Sequence, residues 1–170
     1  GTNGKTTTTA LLGEIMKLWK DSVYVVGNIG IPYTSIAADT TDDSVVVAEI
    51  SSFQLETIDA FRPKVSAILN ITPDHLDRHH TMAAYIEAKE AVARNQTSED
   101  ICVLNYEDAE TRRFGEKTKA SVLYFSSRRK LNKGVYLEDG MIVYADEGVY
   151  EKICHTDELR LLGVHNYENV

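Results

Sequence analysis

Gly1-Thr2-Asn3-Gly4-Lys5-Thr6-Thr7-Thr8-Thr9 opens the chain and leads directly into Ala10-Leu11-Leu12-Gly13-Glu14-Ile15-Met16-Lys17-Leu18-Trp19. Glycines let the backbone curl so that several N–H groups point inward, and a helix starting at Lys5 adds partial positive charge at the same spot. A lysine there reaches the outer phosphates of a nucleotide, and the following hydroxyl can sit on Mg²⁺. The stretch matches the second half of the pattern G-x-x-x-x-G-K-[ST], whose first glycine would lie ahead of Gly1. The competing reading is a Gly-rich turn that caps a helix, with Lys5 a solvated charge. Such a loop needs a strand feeding it, and with no initiator Met the chain is expected to be a piece of a longer protein.

The sequence downstream is organised as that loop requires. Leu11, Leu12, Ile15, Met16 and Trp19 recur at helical spacing, which predicts a helix with one face on a sheet. Val23-Tyr24-Val25-Val26, Val45-Val46-Val47-Ala48, and residues 65–69, 101–104 and 122–125 are continuous apolar runs, the pattern of parallel strands buried on both faces. Helices are expected at 33–39, 82–95 and 107–118. Strands alternating with helices specify a doubly wound α/β domain, P-loop-type, with a mostly parallel sheet. Toward the C-terminal end, Val135-Tyr136-Leu137 and Met141-Ile142-Val143-Tyr144 flank Glu138-Asp139-Gly140, a hairpin signal. With Ile153 and 159–162 as further edge strands, this reads as a small antiparallel appendage.

Composition narrows the function. At 170 residues one domain is expected, and 43% hydrophobic with 26% charged residues is ordinary for a soluble globular chain. A net charge of −8 argues against a nucleic-acid surface. The one dense basic cluster, Arg128-Arg129-Lys130 with Lys133, reads as a solvated loop. Cys102 and Cys154 lie far apart without metal-ligand spacing, as buried thiols of a reducing compartment do. No apolar run approaches a membrane span, and the expected location is cytoplasmic.

In open α/β sheets ligands sit beyond the carboxyl ends of the strands. Asn28, Glu49 and Asn70 through Thr72-Pro73-Asp74-His75 all fall at such ends. Glu49 there is either a solvent-exposed strand end or a carboxylate for nucleotide-bound Mg²⁺. His75, beside Asp74 and Asp77, is either structural or a metal or substrate contact. Lys89 carries the most informative position. On the helix begun by Met82, Tyr85, Ile86, Val92 and Ala93 are apolar, and Lys89 points to the middle of their face. A buried bare ammonium is unfavourable, so Lys89 must snorkel, find a partner, carry a modification, or reach into an active site.

Taken together these motifs resemble the Mur ligases, ATP-dependent amide-forming enzymes of peptidoglycan synthesis. Gly1-Thr2-Asn3-Gly4-Lys5-Thr6-Thr7 is similar to their P-loop. Gly27-Asn28-Ile29-Gly30-Ile31-Pro32, Glu49-Ile50-Ser51-Ser52-Phe53-Gln54-Leu55-Glu56 and Asn70-Ile71-Thr72-Pro73-Asp74-His75-Leu76-Asp77-Arg78-His79 are most similar to the branch that adds D-glutamate. The resemblance covers the whole chain and implies the central ATPase domain. It also implies activation of the UDP-MurNAc-L-alanine carboxylate by ATP to an acyl phosphate, followed by attack of the D-glutamate amine. By this resemblance Gly4 and Lys5 hold the phosphates, Thr6 and Glu49 take one Mg²⁺, and His75 takes a second. Lys89 matches a lysine that the family carbamylates with CO₂, Asn28 and Ser51 match substrate contacts, and Asn166 and Asn169 match the adenine side.

In the family a UDP-binding domain precedes this one and a C-terminal domain follows it, so the fragment alone is expected to be inactive. The strand before Gly1 is expected to leave a gap in the middle of the sheet. Two alternatives stand beside this reading: a folylpolyglutamate-synthase-type ligase, and a non-catalytic ATP-binding module. Oligomeric state is not legible in the sequence.

Overall fold

The apolar runs form two sheets in the computed structural model, which describes residues 1–161 and 163–170. Strands β1 (Val23–Gly27) and β2 (Val45–Glu49) pair in parallel, with Val25 opposite Val47 and Gly27 opposite Glu49. The larger sheet has the order β3 (Val65–Ile68), β4 (Ile101–Asn105), β5 (Ser121–Ser126), β6 (Gly134–Glu138), β7 (Met141–Asp146), β8 (Val149–His155). Its first four strands are parallel and its last two pairings antiparallel. Among the described residues no strand pairing joins the two sheets.

Among the described residues, α-helices α1 (Lys5–Lys17), α2 (Ser52–Leu55), α3 (Leu76–His79), α4 (Met82–Glu90) and α5 (Ala109–Gly115) accompany the strands. The main core lies where α4 and α5 cover β3 and β4, and contains Ile68, Ile71, Tyr85, Cys102, Leu104 and Phe114. Asp108 starts α5 by accepting from the Glu110 and Thr111 amides, which shortens the helix from the 107–118 expected. The helix expected over 82–95 is α from Met82 to Glu90 and tightens to 3₁₀ over Ala91–Ala93. The one expected at 33–39 is a 3₁₀ turn, Tyr33–Ile36.

The expected antiparallel appendage is present, but it is hydrogen-bonded onto the main sheet. β6 begins beside the end of β5 and overlaps it only at Phe125–Val135 and Ser126–Tyr136, so the short link 127–133 suffices for a parallel pair. Positive φ at Asp139 (48°) and Gly140 (79°) closes the β6–β7 hairpin. Ile153 lies in edge strand β8, whereas residues 159–161 form no strand and Leu162 lies outside the described residues.

Two expectations about burial fail for a physical reason. The most buried positions of α1 are Thr9 and Gly13; of the expected stripe, Leu11 and Met16 are half-buried, whereas Leu12 and Ile15 are exposed and Trp19, beyond the end of the helix, is 70% exposed. A Cβ on Gly13 would lie 2.4 Å from Val25 Cγ2, so the bare glycine lets the helix approach β1 and leaves Leu12 and Ile15 on the outer side. In β3, Ser66 and Ile68 are buried while Val65 and Ala67 are exposed, so only one face of that strand is covered. The basic cluster is paired, Arg129 with Glu107, Lys130 with Glu138, and Lys133 with Asp146.

Candidate active site

The opening loop is fastened on two sides. Toward the larger sheet, the Thr2 amide donates to the Asn70 carbonyl at 2.9 Å, and Asn3 and the Asn70 side chain bond reciprocally at 2.8 and 3.1 Å. Toward the smaller sheet, Thr6 Oγ1 donates to Glu49 Oε2 at 2.9 Å. Gly4 has φ 83°, in the left-handed region, and a Cβ there would lie 2.1 Å from Asn169 Oδ1. Both facts demand glycine. Among the described residues no side chain caps α1, so the amides of its first turn remain available to an anion. Lys5 folds over the loop, its Nζ donating to the Thr2 carbonyl at 2.9 Å.

Glu49 is buried, which removes the reading of a solvent-exposed strand end. Its second oxygen accepts from Asn28 Nδ2 at 3.1 Å. The Thr6–Glu49 oxygen separation of 2.9 Å is close to the edge of an octahedron with metal–oxygen bonds near 2.1 Å, about 3.0 Å, so this pair fits two neighbouring ligands of Mg²⁺. Among the described residues no three His, Cys, Asp or Glu side chains converge as a metal cage. Mg²⁺ commonly takes one or two carboxylates and completes its shell with phosphate and water, and this donor set suits that habit.

A cavity of about 160 Å³ gathers Lys5, Asn28, Ser51, His75 and Lys89, walled by Ser52, Phe53, Asp74 and Tyr85. Its size suits a phosphoryl or carboxylate group, the reacting end of a ligand. Ser51 caps α2 in a capping box with Gln54. His75 sits at φ 50° beside Asp74, with its ring against Phe53.

Lys89 is 6% exposed, as its place on the apolar face predicts. Its Nζ lies 4.6 Å above the Tyr85 ring and donates to the Gly1 carbonyl at 3.3 Å. Among the described residues no carboxylate forms an ion pair with it. Burial, and then the charge of Lys5, lower its pKa to about 8, with Asp74 opposing.

The sequence profile described as Mur ligase middle domain matches residues 1–170. The chain belongs to this family. It is 59% identical over 170 residues to the UDP-N-acetylmuramoylalanine–D-glutamate ligase of Lachnoclostridium phytofermentans, covering all of this chain and 37% of that protein. It is 55% identical to the ligase of the same description from Clostridioides difficile, over 99% of this chain and 37% of that protein. The chain thus spans a little more than a third of these curated relatives.

Among solved structures, a UDP-N-acetylmuramoyl-L-alanyl-D-glutamate–2,6-diaminopimelate ligase superposes with a TM-score of 0.74 at 21% identity, over 99% of this chain and 40% of that one. The Acinetobacter baumannii UDP-N-acetylmuramoylalanyl-D-glutamyl-2,6-diaminopimelate–D-alanyl-D-alanyl ligase gives 0.70 at 17%, covering 99% and 39%. Both show the fold of a Mur ligase middle domain.

Within this Mur ligase middle domain, Asn166 and Asn169 lie apart from the cavity-lining group, against the start of α1. Asn169 donates to Asn166 Oδ1 at 2.8 Å, its carbonyl accepts from Thr8 Oγ1 at 3.1 Å, and both residues are buried. Thr7 lies in the first turn of α1. Sequence reasoning gave no role to two residues that hold the loop. Asn70 was visible as a polar residue after an apolar strand, and it locks Thr2 and Asn3. Tyr85 belongs to the apolar face of its helix, yet its hydroxyl lies 3.2 Å from Thr2 Oγ1 while its ring supports Lys89. Among the described residues no helix is long and apolar enough to cross a membrane.

Proposed function

We propose that this domain is the ATPase centre of a cytoplasmic ligase that joins D-glutamate to UDP-MurNAc-L-alanine, with the UDP-binding and C-terminal domains supplied by the rest of the polypeptide. The observation that carries the reading is the meeting of Lys5, Asn28, Ser51, His75 and Lys89 around one cavity. The choice of D-glutamate rests on the relatives, which carry that amino acid in their names.

Gly1 to Thr7 and the open first turn of α1 would hold the ATP phosphates, with Lys5 offsetting charge on the transferring group. Thr6 and Glu49 would hold one Mg²⁺, and His75 with carbamylated Lys89 a second. ATP and metal supply the activation of the acid as an acyl phosphate. Asn28 fixes Glu49 and, with Ser51, faces the acid substrate; Asn166 and Asn169 support the nucleotide side of the loop. The lowered pKa of Lys89 favours its carbamylation, because only the neutral amine attacks CO₂, forming the N–C bond and releasing a proton to water. The carbamate then turns a buried cation into an acceptor for metal.

The full-length protein tests this. With UDP-MurNAc-L-alanine, ATP and Mg²⁺, phosphate release is expected to depend on D-glutamate. Activity with folate and L-glutamate instead would overturn the reading in favour of the folylpolyglutamate type, and nucleotide binding without turnover would favour a regulatory module.

A further inference from the structure

A chain of polar side chains in contact runs through the wall of the site cavity. Ser52, buried in the first turn of α2, lines the cavity, and its Oγ lies 3.0 Å from His79 Nε2. Across the ring, His79 Nδ1 lies 3.3 Å from Glu56 Oε1. Arg78 donates to the other Glu56 oxygen at 2.9 Å. Glu56 and His79 also line a groove of about 390 Å³ outside, so the chain spans the partition between two cavities.

The imidazole is held as firmly by its faces as by its nitrogens. Phe53 stacks on it with centroids 5.5 Å apart and planes 15° apart, and Tyr85 packs against it at 5.2 Å. A carboxylate only accepts, so Glu56 assigns the proton of the neutral ring to Nδ1, which leaves Nε2 to accept from the Ser52 hydroxyl. The chain bears on the cavity because α2 is a single turn of four residues, too short to hold its own place. The Ser51–Gln54 capping box shapes the start of that turn, but it does not tie the turn to α3 or α4. His79 does.

We propose that His79 is a positioning residue: with its tautomer set by Glu56, it holds Ser52 and Phe53, and so the α2 wall, against the acid-substrate end of the cavity. The identity of that substrate rests on the reading under Proposed function. The geometry of the Ser52–His79–Glu56 chain does not.

The test uses the full-length protein. His79→Phe keeps a stacking ring and removes both nitrogens, Ser52→Ala removes the inner partner, and His79→Gln restores an acceptor toward Ser52. His79→Phe and Ser52→Ala are each expected to raise KM for UDP-MurNAc-L-alanine roughly tenfold, the scale of one lost hydrogen bond, with KM for ATP within about twofold. The double variant should be no worse than either single one, and His79→Gln should recover most of the loss. Additive effects, or equal rises in both KM values, overturn the proposal.

A long-range ¹H–¹⁵N spectrum gives a readout independent of turnover. His79 should show the Nδ1–H tautomer, and Ser52→Ala should move its Nε2 resonance. An Nε2–H tautomer or an unmoved resonance overturns the proposal even in an active ligase. A wild-type protein lacking D-glutamate-dependent phosphate release would instead remove the substrate assignment, with the spectrum still deciding His79.

Discussion

Asp100 and Lys89 are both buried charged residues on one scaffold, and their surroundings treat them in opposite ways. Asp100, just ahead of β4, is fully buried, yet Arg62 Nε at 2.7 Å and the Thr97 amide at 2.9 Å bond it, and Lys64 approaches at 3.4 Å. The Arg62 and Thr97 bonds lower its pKa to about 2, so the charged form is favoured where it stands. Lys89, at the loop end, has a backbone carbonyl and the face of a ring, and burial lowers its pKa to about 8. At one end of the sheet the buried charge is bonded through Oδ2 and faced by two cations, although its Oδ1 accepts no hydrogen bond among the described residues. The other leaves a buried cation poorly satisfied beside a cavity, and a poorly satisfied charge is where chemistry can be done.

Removing each charge should therefore separate activity from stability. Lys89→Met is expected to lower ligase activity of the full-length protein by roughly 10²-fold or more. In bicarbonate-free buffer at pH 7 the same change should raise stability, by at most on the order of 3 kcal/mol, read by urea unfolding. Retained activity, or a loss of stability, would break the contrast. Asp100→Ala should do the reverse, lowering Tm by roughly 5 °C or more with kcat little changed, because it leaves Arg62 and the Thr97 amide without their shared partner.

A smaller effect is expected from packing. Gly13→Ala places a methyl 2.4 Å from a stiff valine side chain and should destabilise by about 1–3 kcal/mol, measured by thermal melting.

The last expectation concerns pH. The native pKa of Asp100 lies below its unfolded value, so its contribution is full above about pH 4 and is lost as pH falls toward 2. The native pKa of Lys89 is also below its unfolded value, but for a base this is a penalty, complete below pH 8 and relieved as pH rises toward 10.5. The stability difference between wild type and Lys89→Met should be flat below pH 8 and shrink above it. A difference that grows above pH 8 would reverse the sign of the Lys89 effect.

Much of this contrast is legible in the sequence because it rests on local spacing. Gly4-Lys5-Thr6 carries the pattern of a phosphate loop, and the turn of 3.6 residues places Lys89 on an apolar face from spacing alone. The strands and the β6–β7 turn are equally local. What the sequence conceals is set by approach distance and by long-range partners. The closest point of α1 on the sheet is hidden from hydrophobicity, which counts side chains, because Gly13 packs by having none. His79 was seen only as a neighbour of His75, since Ser52 and Glu56 reach it across 27 and 23 positions of chain. Asp100 drew no notice, because Arg62 and Lys64 belong to a different connection.

The opening loop has a mechanical side as well. It is bonded to the end of β2 through Thr6 and to the segment after β3 through Thr2 and Asn3, while the two sheets share no strand pairing among the described residues. It is therefore one stitch between the two sheets, set at their loop end, while the Ser52–His79 and Arg78–Glu56 contacts join the helices that follow β2 and β3.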